Sequence, residues 1–149
     1  MNRLAKFFLI AGVGVAACRS RAARRDPAPP AGSFYADIEP VLARYCASAE
    51  GCHGERPTHS VSIDLRPGRA YAALVSAPAK IRAGVVRVAP GAPDKSFLLD
   101  KLTGALAFGE GKPMPLDPDT GAPPETSPLP NGFVDRTLRA WIVRGAPED

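Results

Sequence analysis

The stretch Cys46-Ala47-Ser48-Ala49-Glu50-Gly51-Cys52-His53-Gly54 decides how this chain is read. Two thiols and an imidazole stand together in a run whose other members are mostly small. Five residues separate the cysteines. In a continuous helix Cys46 and Cys52 would lie about 9 Å apart along the axis, at about 1.5 Å rise per residue. The segment must bulge for both thiols to act at one place. Ala47, Ser48, Ala49 and Gly51 are small enough to permit this, and Gly51 can take the unusual dihedrals required.

Three chemistries are open to these residues. A Cys-x-x-Cys-His string marks covalent attachment of haem c: two thiols add across the vinyl groups and the histidine ligates the iron. Cys46, Cys52 and His53 keep that order with a wider cysteine spacing. The second reading is a Cys46–Cys52 disulfide closing a small loop, feasible where the Cα atoms come within about 7 Å. The third is a metal held by Cys46, Cys52, His53 and His59. Zinc sites usually bring a second, well-spaced ligand pair, and the only other cysteine is Cys18.

A haem iron held by His53 needs a ligand on its other side. The chain has two methionines, Met1 and Met114, and Met1 belongs to a segment read below as cleaved. Met114 lies in Gly111-Lys112-Pro113-Met114-Pro115-Leu116-Asp117. A methionine that fills a core normally sits on the apolar face of a periodic segment, and this one does not. Its two proline neighbours preset the backbone, so the thioether can be held with little entropy lost on ligation. Met114 is the candidate distal ligand, and Met/His ligation raises the reduction potential. His59 is the fallback.

Upstream, Arg3 and Lys6 precede the apolar run Phe7 to Ala17. The run is shorter than the roughly 20 residues that span a bilayer and reads as a secretory signal, residues 1–17. It ends Val15-Ala16-Ala17-Cys18, which resembles a bacterial lipobox, so Cys18 is the expected lipidation site. Residues 18–33 are rich in Arg, Pro and Ala and read as a lipid-anchored linker. An exported lipoprotein facing the periplasm or cell surface is expected, with its thiols in an oxidising compartment. The formal charge of +4 resides in this arm: residues 34–149 carry 13 basic and 14 acidic side chains. That balance gives the domain no basic face for nucleic acid. The linker arginines serve either as a solvated spacer or as contacts to anionic lipid headgroups.

Residues 34–149 read as one domain. The 17 prolines and 14 glycines of the full chain imply short elements and long loops. Ile38, Val41, Leu42 and Tyr45 repeat at helical spacing, and Pro40 predicts that this helix starts near Ile38 or Glu39. Further helices are expected over 68–76, 94–102 and 132–144, the last ending at Gly145. The run Val85-Val86-Arg87-Val88 reads as extended, with no evident partner. Residues 113–130 carry seven prolines and should wrap a surface. Tyr71, Phe97, Phe108 and Trp141 are the aromatics expected to pack on a bound haem. The expected class is all-α.

The order of these pieces resembles the planctomycete-type cytochrome c domain over residues 34–147. The pieces are Phe34-Tyr35-Ala36-Asp37-Ile38-Glu39-Pro40-Val41-Leu42, the Cys-His-Gly element, Ile63-Asp64-Leu65, Tyr71-Ala72-Ala73-Leu74, Val88-Ala89-Pro90-Gly91-Ala92-Pro93, Ser96-Phe97-Leu98, Met114-Pro115 and Leu138 to Ala146. The resemblance implies a small helical haem domain, with Cys46 and Cys52 as attachment points, His53 as proximal ligand and Met114 as distal ligand. Electron transfer with redox partner proteins of the envelope is the expected role. The alternative is a haem-free, disulfide-stapled lipoprotein domain that binds or scaffolds proteins. Catalysis is the weaker expectation: Ser60, Asp64 and His59 are near one another in sequence, but no nucleophile elbow accompanies them.

Overall fold

Pro40 has no N–H to donate one turn back, so a regular α-helix cannot pass through it with its ladder complete. The computed structural model describes residues 32–47, 52–55 and 63–149. In it a wider π-turn, Phe34–Ile38, runs into α1, Glu39–Tyr45. The Glu39 N–H reaches back to the Phe34 carbonyl. Ser33 caps the turn by accepting from the Ala36 N–H, while the Asp37 carboxylate accepts from the Ser33 N–H at 2.9 Å. This reciprocal cap satisfies the first N–H groups; α1 begins at Glu39, within the expected Ile38 or Glu39, and the π-turn adds a helical turn ahead of it from Phe34.

The other helices are also shorter or more broken than their periodicity suggests. α2 covers only Ala70–Leu74. The third expected helix is split into a 3₁₀ turn, Pro93–Lys95, and α3, Phe97–Thr103. Ser96 between them is buried and extended. Its hydroxyl accepts from the Ala89 N–H at 2.9 Å and donates to the Ala92 carbonyl at 3.0 Å. Such local bonds compete with the helical ladder. A second π-turn, Phe133–Leu138, leads into α4, Arg139–Val143. The extended run at 85–88 does find partners, as isolated bridges: Val75 with Val88, Pro78 with Val86, and Val86 with Ser96. Among the described residues there are helices and no strand, so the fold class is all-α. No helix among them is long and apolar enough to cross a membrane. The apolar run 7–17, Cys18, His59 and Ser60 lie outside the described residues.

An aromatic cluster holds the helices together. Trp141 is fully buried, 5.4 Å from the Phe34 ring and 6.4 Å from that of Tyr71. Phe34 and Tyr71 meet edge to face at 5.1 Å, the arrangement that ring quadrupoles favour. The polar edges are satisfied by the last turn of chain: Trp141 Nε1 donates to the Pro147 carbonyl at 2.8 Å and the Tyr71 hydroxyl to the Ala146 carbonyl at 2.9 Å. Asp149 straps this segment across the first π-turn. Its carboxylate accepts the Phe34 N–H at 2.9 Å, and its main-chain oxygen accepts from Tyr35 N–H and Ser33 Oγ, each at 2.9 Å. Gly32 stands where a Cβ would come within 2.8 Å of the Thr137 carbonyl, and its φ of +88° also suits glycine.

Three of the aromatics expected around a haem are thereby reassigned. Trp141 belongs to the core, Tyr71 packs against it, and Phe108 projects fully into solvent. Trp141→Ala should lower the free energy of urea unfolding by about 3–5 kcal/mol, while Phe108→Ala should stay within about 0.5 kcal/mol of the parent. Equal losses in the two variants would contradict this assignment.

Candidate cofactor site

α1 delivers Cys46 at its C-terminal end, where the Cys46 N–H donates to the Leu42 carbonyl at 2.9 Å. From there the chain returns rather than continuing. The His53 N–H donates to the Cys46 carbonyl at 2.9 Å, so the wide cysteine spacing is closed into a loop. The expected bulge, residues 48–51, lies outside the described residues. His53 is then tied forward: the Leu65 N–H donates to the His53 carbonyl at 2.8 Å.

The His53 side chain is oriented by its own hydrogen bond. Nδ1 lies 3.2 Å from the Ile63 carbonyl. A carbonyl only accepts, so this bond places the proton on Nδ1, and Nε2 is the ring nitrogen without it. Burial pushes the imidazole below its usual pKa, against the Ile63 carbonyl, which favours the protonated ring; the nearby cations of Lys101 and Arg87 push it further down. The ring is a neutral nitrogen donor at neutral pH, the form that ligates metals.

Met114 reaches the same place from the far side of the sequence. Its N–H donates to the carbonyl of Lys101 on α3 at 2.7 Å, and the Met114–Pro115 bond is cis. Cys46, Cys52, His53 and Met114 all line one cavity of about 710 Å³, within the ~300–1,000 Å³ common for cofactor sites. Its wall is largely aliphatic, with Leu42, Ile63, Leu65, Leu74, Leu98 and Leu102 on it. Phe97 lines it as well, the one residue of the four expected aromatics that does so.

Charge in the cavity is mostly positive. Arg87 lines it and donates to the Ala73 carbonyl at 2.8 Å, and burial lowers its pKa. No carboxylate pairs with Arg87 among the described residues. Lys101 also lines the wall. Asp117 is the carboxylate there, but it is engaged in its own turn, accepting from the Thr120 N–H at 2.8 Å and hydroxyl at 2.9 Å. An apolar cavity with cations on its wall suits a flat apolar ligand carrying carboxylates. Two thiols, an imidazole and a thioether stand on the same wall.

Among the described residues no group of three or more His, Cys, Asp or Glu side chains is placed to hold a metal ion by itself. Cys46 carries a free thiol. Sequence patterning did not single out Arg87 and Lys101. Their signal was present in weak form: Arg87 interrupts a β-branched run, and Lys101 follows Phe97 by four residues and Leu98 by three, on the apolar side of α3. Comparison of the chain with protein-family models, with curated proteins and with solved structures finds no match in any of the three.

Burial, with the neighbouring Cys52 as the smaller contribution, pushes the Cys46 thiol from 9.0 up to about 11. A raised pKa means less thiolate, and the thiolate is the nucleophile. In reduced, haem-free protein at pH 8, alkylation of Cys46 should be about 100-fold slower than in the unfolded chain. Peptide mass spectrometry after timed iodoacetamide treatment measures this, and equal rates in the two states would refute it.

Proposed function

We propose that the domain is a c-type cytochrome, an electron carrier with one covalent haem c. The observation that supports it most is that Cys46, Cys52, His53 and Met114 line a single apolar cavity. Each thiol adds across one vinyl double bond, sulfur to one carbon and hydrogen to the other, so attachment at Cys46 and Cys52 needs no oxidant. His53 serves as the proximal ligand through Nε2, held in orientation by the Ile63 carbonyl. Met114 serves as the distal ligand, and its soft, neutral thioether favours the reduced state relative to a second nitrogen ligand. Haem in this site supplies one-electron exchange between ferric and ferrous iron.

The chain's own residues account for the rest. Aliphatic side chains around the cavity exclude water and keep the local dielectric low, which also shifts potential. With His53 and Met114 both holding the iron, the protein's own side chains would take the places a substrate would need, and this favours a carrier over a catalyst. Arg87 on the wall offers its guanidinium to a propionate carboxylate, a strong charge-assisted contact. In this reading the signal over 1–17 exports the chain, Cys18 carries the lipid, and the linker to residue 33 holds the domain at the membrane. Its partners are redox proteins of the same envelope and not nucleic acid.

The test is export of the full chain alongside haem-attachment machinery, followed by denaturation and a pyridine haemochrome spectrum. Haem retained after denaturation is expected. Cys46→Ala and Cys52→Ala should each leave one thioether, with the α-band displaced toward that of a single free vinyl. Met114→Ala should retain the haem and lower the reduction potential. Colourless protein of unmodified mass, with Cys46 and Cys52 oxidised to each other, would overturn the reading in favour of a disulfide-stapled binding domain.

A further inference from the structure

Two prolines stiffen the chain around Met114, but a stiff segment still has to be placed. A thioether is a weak, neutral ligand, and it gains from a backbone that is already in position. The contacts that place this one converge on a single residue of α3. The Lys101 carbonyl accepts the Met114 N–H at 2.7 Å. The Lys101 ammonium donates to the Lys112 carbonyl at 2.7 Å and to the Glu110 carbonyl at 3.1 Å. One residue thus binds the main chain at positions 110, 112 and 114. The approach is close: a Cβ on Gly111, which has φ of +81°, would stand 3.4 Å from Nζ.

The upstream end of the same stretch is pinned by charge. Glu110 is buried, and its carboxylate accepts from Arg82 Nε and Nη2 at 2.5 Å each and from the Ala107 N–H at 2.8 Å. Arg82 also donates to Asp100, the neighbour of Lys101 on α3, and its guanidinium lies 4.5 Å from the Phe97 ring centroid. The Arg82 guanidinium holds the Glu110 carboxyl down to about 2, with the Ala107 N–H contributing. The bidentate fork is therefore fully charged at neutral pH, the strongest form of this hydrogen bond. Segment 110–114 is fastened to α3 at Asp100 and Lys101 and has little freedom to slide along it.

We propose that Lys101 is the positioning residue for Met114, fixing the thioether on the cavity wall it shares with His53, with the Arg82–Glu110–Asp100 ion pairs holding the far end of the loop. This rests on the reading of Met114 as an iron ligand. Lys101 touches neither the iron nor a substrate in this role. It acts through the main chain.

The test uses the full-length, haem-loaded protein. Lys101→Leu keeps much of the apolar bulk and removes the ammonium. The readouts are the sulfur-to-iron charge-transfer band of the ferric form, the displaced Met114 methyl resonance of the ferrous form, and the reduction potential. Lys101→Leu should keep its covalent haem but lose most of the band and resonance, its potential falling toward that of Met114→Ala. Lys101→Arg, which can still donate to both carbonyls, should restore most of these signals. Glu110→Gln should give a smaller loss, since the Lys101 contacts to the main chain remain. Should Lys101→Leu not accumulate as folded protein, Lys101→Met, which keeps an unbranched stem and lacks the ammonium, decides by the same readouts: loss of band and resonance supports the proposal and parent values overturn it. Lys101→Leu with band, resonance and potential at parent values overturns the positioning role while leaving Met114 as ligand. Parent protein with haem on Cys46 and Cys52 but neither methionine signal overturns both.

Discussion

One main-chain hydrogen bond, from the His53 N–H to the Cys46 carbonyl at 2.9 Å, organises the site. Without it the wide cysteine spacing would leave Cys46 at the end of α1 and His53 on a separate excursion of the chain. With it, the thiol and the imidazole share an anchor. The bond from the Leu65 N–H to the His53 carbonyl then carries that anchor into the next segment. Side chains from 63, 65 and 74 can build a wall around the histidine because its backbone is held from both sides. Insertion of extra residues in such a loop costs little loop-closure entropy, so a spacing of five is compatible with the same end-to-end closure as a shorter one.

The wall, in turn, sets the chemistry of what it encloses. Burial disfavours charge on whichever group would carry it. It drives His53 toward the neutral ring and Cys46 toward the protonated thiol, in opposite pKa directions for one physical reason. Arg87 is pushed the same way as His53 but stays charged, because the intrinsic pKa of a guanidinium lies so far above neutrality. The result is a cavity of neutral donors with a cationic margin.

With Leu42, Leu65 and Leu74 shared by core and cavity wall, the aromatic cluster and the cavity cysteine lie at opposite ends of the first helical segment. Phe34 begins it, packed with Tyr71 and Trp141. Cys46 ends it, on the cavity wall. The strap from Ala146 to Asp149 closes the core end through hydrogen bonds, the buried Ala146 side chain and the Arg144–Asp149 ion pair. Trp141 and Phe34 are therefore committed to stability, and the cavity is built from aliphatic residues with Phe97 added. α3 joins the two regions: Leu99 packs in the core, while Phe97, Leu98, Lys101 and Leu102 face the cavity.

The sequence by itself determined the chemical inventory and the class of fold. Thiol, imidazole and thioether are covalent identities, and the period of apolar residues over 38–45 and 133–142 carries a helical face in any context. All-α follows from those local patterns, and the helices observed over these stretches agree with it. Only the tertiary structure decided that a π-turn precedes α1 and that the third expected helix breaks at Ser96. Ser33 and Ser96 set those points through side-chain bonds to particular main-chain groups, which propensity does not encode. Only the tertiary structure separated Trp141, buried in the core, from Phe108, exposed in a loop, since both are simply large aromatics in one dimension. It alone brought Arg87 and Lys101 onto the wall beside His53. Their roles depend on neighbours distant along the chain, and a lysine's charge reads as solvent-facing until a second segment supplies carbonyls for its ammonium to bind.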